Sequence, residues 1–322
     1  MFEQLDFGIF HGASKAERDE FCRRLVSELR HYGFVKLINH GVPLEDVNKA
    51  FETSRNFFQL PLSEKLKSPH PPTANPHRGF SPIGLENIST ISNYGSASTM
   101  PLLKDMKESY DIGSDNDPIY KNIWPPAGLY DSFQTNFTSF FASCYEVELV
   151  ILDAISIGLG LPTQTLRLLH QTQANELRLT HYPSVSRDAF VDSTRIAAHT
   201  DFGTITLLFQ DNVGGLEMES PPNSGKFIPI NSGGQGECIL NVGDCLEMWT
   251  GLRSARHRVH LPDPSIHPKG SDDAIMERFS IAYFAKPDRT AILRPLQQTV
   301  EYGQQYLTAN EFQHMRIQGT YA

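Results

Sequence analysis

Three side chains far apart along the chain constrain its fold more than anything else in the sequence. His199-Thr200-Asp201 is followed by His257 after fifty-five intervening residues. Two imidazoles and a carboxylate in that pattern form the ligand set of a non-haem Fe(II) site, with positions left open for oxygen and a co-substrate. Residues i and i+2 of an extended strand share a face, so His199 and Asp201 leave the backbone on the same side. Ile205–Phe209 follows as a β-branched and aromatic run typical of a buried strand, and Asp211–Gly215 is a turn. The third ligand lies in Arg256–Val259, after Asn241–Trp249, which reads as a glycine turn plus a strand. A barrel brings such distant strands together at its mouth, where β-barrels bind small ligands. Ordinary, partly buried histidines are the competing reading. In a chain with 12 histidines a lone His-x-Asp would favour it, but the rest of the pattern weighs against it.

Two further strands carry polar side chains on one face. In Met276–Phe284, Arg278 and Ser280 share a face while Phe279, Ile281 and Tyr283 take the other. A guanidinium forks onto a carboxylate through two parallel hydrogen bonds, and a serine hydroxyl adds a third donor. That pair suits the distal carboxylate of a dicarboxylic acid whose other end chelates the iron. In Glu176–Pro183, Arg178, Thr180 and Tyr182 share a face opposite Leu177, Leu179 and His181. Inward polar groups on a barrel strand belong to sites more than to cores. Tyr182 is placed to donate to the same carboxylate as Arg278. Arg178 is open between a co-substrate or substrate contact and a solvated strand edge.

With these segments in view, the chain resembles the isopenicillin N synthase-like Fe(II)/2-oxoglutarate-dependent dioxygenases. The matching stretches are His199–Leu216, Gly243–Pro262 and Arg278–Pro287, joined in the N-terminal half by Gly33–Gly41, Arg78-Gly79-Phe80, Lys107–Gly113 and Asn122–Pro125. The resemblance reaches to about Pro295. It implies a mainly β fold with flanking helices, in which a double-stranded β-helix (jelly-roll) core packs against N-terminal helices. It implies iron on His199, Asp201 and His257, and the C5 carboxylate of 2-oxoglutarate on Arg278 and Ser280, with Tyr182 carried over to that pocket. No catalytic side chain beyond the metal centre is expected. The cofactors implied are Fe(II), with 2-oxoglutarate and O2 as co-substrates and ascorbate as an optional reductant. Phe202 and Phe284 are candidate pocket walls, each equally well explained as barrel core. Arg178 and Arg78 are the positive groups to consider for an acidic substrate.

The activity implied is oxidation of a C–H bond of a small molecule, by hydroxylation, desaturation or ring rearrangement, coupled to conversion of 2-oxoglutarate to succinate and carbon dioxide. The wording of the motifs resembles fungal and bacterial members that modify secondary metabolites or amino acids. Isopenicillin N synthase and the ethylene-forming oxidase of plants keep the Arg-x-Ser pair yet use no 2-oxoglutarate, so an iron oxidase of that type is the alternative. A non-catalytic small-molecule-binding protein on the same fold is a second. A hydrolytic zinc enzyme is a third, though it leaves Arg278 and Ser280 unexplained. Departures from the family pattern fall at Asp263–Asp273, read as an exposed loop with His267 in solvent, and at Ser220–Glu237, read as a hairpin insertion.

Composition narrows the partners. Lys and Arg total 28 against 37 Asp and Glu, a net charge of −9. Without a basic cluster the chain is a poor match for nucleic acid or an anionic membrane, which leaves a small-molecule substrate and implies no obligate protein partner. Its four cysteines are scattered with no CxxC, so neither a disulfide framework nor a zinc site is indicated, and reduced thiols fit the cytoplasm. Met1–Phe10 lacks the basic start of a signal peptide, and the apolar run Val147–Leu161 is interrupted and too short to span a bilayer.

The layout divides into an N-terminal helix/strand region over 1–125, the oxygenase core with its supporting helix over 126–295, and a helical tail over 296–322. Ser14 and Glu17 form a capping box before a helix that Gly33 stops; Pro43 opens a second. A loop region spans 60–99. Gly128–Ile157 is a long helix with an aromatic stripe that packs into the core. From Glu176 to Ala285 the period turns strand-like. Thr299–Met315 is expected to form a last helix.

Overall fold

Alternation along the strands sorts the protein into an outer apolar core and an inner, partly polar one. The structure is a computed structural model and describes residues 2–73, 76–86, 104–186, 193–261, 274–297 and 304–317. Eight strands form the larger sheet, in the order Gln4–Asp6, Phe34–Ile38, Cys238–Val242, Ile205–Gln210, Arg278–Ala285, Glu176–Tyr182, Glu108–Gly113 and Gly79–Ser81. Four form the smaller, in the order Phe227–Pro229, Leu216–Glu219, His257–Val259 and Ile196–His199. The two sheets close on an inner cluster that includes Phe34, Leu208, Tyr182 and Ile239 from one, and Leu216, Met218 and Val259 from the other. This is a jelly roll. Strands of the N-terminal half pair directly into the larger sheet, so 34–38 lies against 238–242 and 108–113 against 176–182.

The outer face of the large sheet is apolar because every second residue is. Ile205, Leu207 and Phe209, Leu177 and Leu179, and Phe279, Ile281 and Tyr283 all turn outward into one buried cluster. Helices Lys15–His31, Leu44–Phe58 and Ser132–Gly158 cover them. Along the last helix Phe133, Phe137, Phe140 and Cys144 are fully or nearly fully buried at helical spacing; each such phenylalanine contributes roughly 1.5–3 kcal/mol of burial. Ser14 and Glu17 cap the first helix reciprocally. It ends before Gly33, whose φ of +74° and whose position, where a Cβ would stand 2.5 Å from the Arg253 carbonyl, admit only glycine.

Three expectations change. Asn241–Trp249 is not a glycine turn plus strand: the strand Cys238–Val242 comes first and Asp244–Thr250 is a helix. Gly243 starts it, Asp244 and Glu247 sit in its first turn, and Cys245, Leu246 and Trp249 bury one face at helical spacing. The 60–99 region, whose residues 74–75 and 87–99 lie outside the described ones, contains a short helix at Leu62–Lys65 and a strand at Gly79–Ser81. That strand forms because it finds an edge, Glu108–Gly113, to pair with. The final helix is Ala309–Ile317, and Thr308 sets its start by exchanging hydrogen bonds with Glu311 in a capping box. Within 220–237 the expected hairpin is present, Leu216–Glu219 pairing with Phe227–Pro229. Asp263–Asp273, with His267, lies outside the described residues. Among the described residues no helix is long and apolar enough to cross a membrane.

Candidate metal centre and its two chambers

His199 ends one strand of the small sheet and His257 begins the neighbouring one, directly across the antiparallel ladder. Asp201 follows on the loop. That loop is pinned by the start of the 244–250 helix, where Asp244 N–H donates to the Asp201 carbonyl at 2.8 Å. Gly243 allows the approach, since a Cβ there would stand 2.3 Å from the Gly203 carbonyl oxygen. The three ligand atoms converge: Asp201 Oδ1 lies 3.7 Å from His199 Nε2 and 3.6 Å from His257 Nε2.

Their outer bonds decide which atoms face inward. His199 Nδ1 meets the Ala197 carbonyl at 2.8 Å, and His257 Nδ1 meets that of Ala255 at 3.2 Å. A carbonyl only accepts, so each Nδ1 carries the proton and each Nε2 keeps its lone pair for a metal. Thr206 Oγ1 donates to Asp201 Oδ2 at 2.5 Å and Asn241 Nδ2 at 2.7 Å, leaving Oδ1 for the ion. Burial, and then the neighbouring His257, push the His199 imidazole down to about 3, which keeps it neutral. Burial disfavours the Asp201 charge, but the two histidines and the Thr206 and Asn241 hydrogen bonds outweigh it and hold the carboxyl below its ordinary value. Two imidazoles with Nε2 turned inward and a charged carboxylate are the donor set a divalent iron takes.

Two chambers meet at this cluster; His199, Asp201, Arg178 and Phe284 line both. The first also has His257, Arg278, Ser280, Thr180 and Tyr182 on its wall. Arg278 is buried. Its Nη2 donates to Gln210 Oε1 at 2.8 Å, its Nη1 to Ser280 Oγ at 3.2 Å, and it lies over the Tyr182 ring at 4.8 Å. Its Nε has no partner among the described residues. A buried guanidinium with a donor unused, beside a hydroxyl on the same cavity wall, fits a carboxylate guest.

The second chamber has Phe202, Phe284 and Ile317 as apolar walls, with His77, Glu176 and Lys286 as polar ones. Ile317 arrives from the C-terminal helix. Its neighbour Arg316 donates to Thr200 Oγ1 at 3.0 Å, pairs with Asp244 at 3.3 Å and covers the Phe202 ring at 4.6 Å. The tail therefore packs on the ligand loop. Arg178 does reach both chambers, but Asp111 grips its guanidinium at 2.6 and 3.0 Å and Glu86 at 3.1 and 3.3 Å. Arg78 lines neither chamber. It turns to Asp117 at 3.4 Å and fills the space over Gly113, where a Cβ would stand 1.9 Å from its Nη2. His77, Asp111 and Glu176 also lie close enough to share an ion, but Arg178 already takes both Asp111 oxygens and Lys286 one of Glu176.

Thr206, Asn241, Gln210, Glu176, Lys286, His77, Arg316 and Ile317 are absent from the expected site residues. The first three do leave a trace, as polar side chains at inward positions of the apolar strands Ile205–Gln210 and Cys238–Val242.

Residues 170–287 match the model of the 2OG-Fe(II) oxygenase superfamily, and 4–127 match that of the N-terminal region of a non-haem dioxygenase in morphine synthesis. A 2-oxoglutarate-Fe(II) type oxidoreductase (ppzD) of Metarhizium rileyi is 41% identical over 93% of this chain and 84% of its own length. A proline hydroxylase (buaE) of Petromyces alliaceus is 39% identical over 99% of both. The chain belongs to the 2OG-Fe(II) oxygenase superfamily. Among solved structures, a full-length Neurospora crassa protein in complex with alpha-KG superposes on this oxygenase with a TM-score of 0.84 at 28% identity, covering 98% of this chain and 95% of that one. This oxygenase is an oxidoreductase of the 2-oxoglutarate-dependent dioxygenase type, with Fe(II) and 2-oxoglutarate as its cofactors and a small molecule as the substrate it oxidises.

Proposed function

We propose that this oxygenase hydroxylates an aliphatic C–H bond of a small amino acid, with His199, Asp201 and His257 as the iron ligands. Arg278, Ser280 and Tyr182 form the 2-oxoglutarate pocket. The observation that carries this reading is that one cavity wall holds both the three ligand side chains and the Arg278–Ser280 pair. Iron and 2-oxoglutarate, when bound, together supply the oxidising power that the side chains lack. The protein's part is placement. Arg278 and Ser280 hold the distal carboxylate from the strand, so that the other end of the molecule reaches the metal. Thr206 and Asn241 aim Asp201. Phe202, Phe284 and Ile317 keep water from the second chamber, where the substrate lies against His199 and Asp201.

The relative named a proline hydroxylase supports hydroxylation as the outcome and an amino acid as the substrate. Phe202 and Phe284 serve as walls and Arg178 as an indirect support, held by Asp111 and Glu86; Arg78 has no contact with the substrate. Four free, buried cysteines support a reducing, cytosolic setting, and the net charge of −9 supports a small molecule over nucleic acid.

Anaerobic visible absorption of metal-free protein, titrated with Fe(II) and then 2-oxoglutarate, tests the reading. A weak charge-transfer band is expected only when both are present. Confirmed iron binding without the band would favour an oxidase that uses no 2-oxoglutarate, and no iron binding would remove the ligand assignment.

A further inference from the structure

The second chamber has a buried carboxylate oxygen waiting for a donor. Glu176 is 4% exposed, and its Oε1 has no hydrogen-bond partner among the described residues. His77 Nδ1 stands 3.7 Å away, and burial pushes that imidazole down to about 3, so it brings no charge. The other oxygen, Oε2, accepts from Lys286 Nζ. A buried acceptor left unmade costs about 1–3 kcal/mol, and such costs gather at functional sites. Lys286, for its part, has three donors and a partner for one of them.

Among the described residues, the charges behind the wall pair off. Arg178 and Lys107 face Asp111 and Glu86 through contacts of 2.6 Å each at the closest. Among the described residues, and apart from Asp201 at the metal cluster and the paired Arg178, the charges lining the cleft are Glu176 and Lys286, and they too sum to zero. A ligand with net charge would leave one buried charge unmatched, which is strongly unfavourable. A ligand carrying both signs on adjacent atoms would oppose the pair head to tail.

Resting on the amino-acid hydroxylase reading above, we infer that Glu176 and Lys286 form a zwitterion clamp for a free α-amino acid of proline's size. Glu176 Oε1 accepts from the ammonium and Lys286 Nζ donates to the carboxylate. Phe202, Phe284 and Ile317 enclose the aliphatic body, which faces His199 and Asp201 across the same cleft. Both clamp residues lie on the large sheet or at its edge, Glu176 opening one strand and Lys286 following the next, Arg278–Ala285. The head group is thus fixed to the same rigid elements that carry the Arg278 pocket.

The test uses protein loaded with Fe(II) and 2-oxoglutarate under anaerobic conditions, with binding followed by calorimetry. The probes are L-proline, cyclopentanecarboxylate, which lacks the nitrogen, and L-prolinamide, which lacks the carboxylate charge. All three have nearly one shape. Wild-type protein is expected to bind L-proline at least roughly tenfold tighter than either analogue, the size of one charge-assisted hydrogen bond. Glu176→Gln should erase the preference over cyclopentanecarboxylate and keep that over prolinamide; Lys286→Met should do the reverse. Variants that keep the wild-type ratios overturn the clamp. If a variant fails to fold, the wild-type series decides alone, and equal binding of the three probes overturns the inference. An intact charge-transfer band without L-proline binding removes the clamp and spares the reaction assignment, whereas loss of the band in wild-type protein removes the assignment itself.

Discussion

The two chambers that meet at the metal cluster are built in different ways. The Arg278 chamber stands on a single row of paired strand residues: Gln210 lies opposite Ser280, and Ser280 opposite Thr180, with Arg278 opposite Tyr182 two residues along. Ladder hydrogen bonds fix every member of that row, so the pocket is formed before any guest arrives. The Glu176 chamber draws its walls from separate segments at 77, 176–178, 199–203, 284–286 and 317. Four of those are strand ends or loops, where substitution is tolerated. A constant co-substrate suits the first construction, and a substrate that differs between relatives suits the second.

The largest expected effect strikes both chambers at once. Asp201→Ala removes the one charged ligand and leaves His199 and His257 facing each other, so bound iron after desalting and succinate release should both fall to background. Retained turnover would take Asp201 out of the metal set. Arg278→Gln is the next step down and separates the chambers. Loss of a charge-assisted contact to a carboxylate should raise the KM for 2-oxoglutarate roughly 10- to 100-fold and leave that for the substrate near its wild-type value. Equal shifts in both constants would mean that the two chambers do not act separately.

Removing an outer support should cost less. Asn241→Ala leaves Asp201 Oδ2 with Thr206 alone, and apparent iron affinity, measured by competition with a chelator, should drop by about tenfold, the lower end for such contacts. An unchanged affinity would show that Thr206 by itself fixes the carboxylate.

How far each chamber could be read in the sequence follows from its construction. His199, Asp201, His257, Arg278 and Ser280 sit at fixed offsets on strands whose period is visible in the chain, and the jelly roll around them was legible for the same reason. Gln210 and Asn241 were visible only as polar breaks in apolar runs, because what they touch is set by cross-strand register. The short apolar run of the Asp244–Thr250 helix fits a strand period equally well in the sequence; the close packing at Gly243 and the buried Cys245-Leu246 and Trp249 face decide it. Glu176 and Lys286 had no local signal at all. They lie 110 residues apart and meet only because their strands are neighbours. Arg78 misled for the opposite reason: a basic residue in a family-like stretch says nothing about direction, and the missing side chain at Gly113 gave its guanidinium another place to go.

The smallest expected effect concerns the C-terminal helix, which touches one chamber only. Ile317 lines the second chamber and not the Arg278 one, while Arg316 ties the helix to Thr200, Asp244 and the Phe202 ring. Arg316→Ala removes a hydrogen bond, an ion pair and a cation–π contact at a partly buried position, together about 1–3 kcal/mol of local docking. Amide exchange across Ala309–Ile317 should therefore quicken, by roughly 5- to 100-fold on the same scale. The KM for the substrate should rise a few-fold through the loosened Ile317 wall, with the KM for 2-oxoglutarate unmoved. A matching rise in both constants would instead mean that Arg316 acts through Thr200 on the metal ligands themselves. In that case the helix would support the centre the chambers share, and the division between them would stop short of the tail.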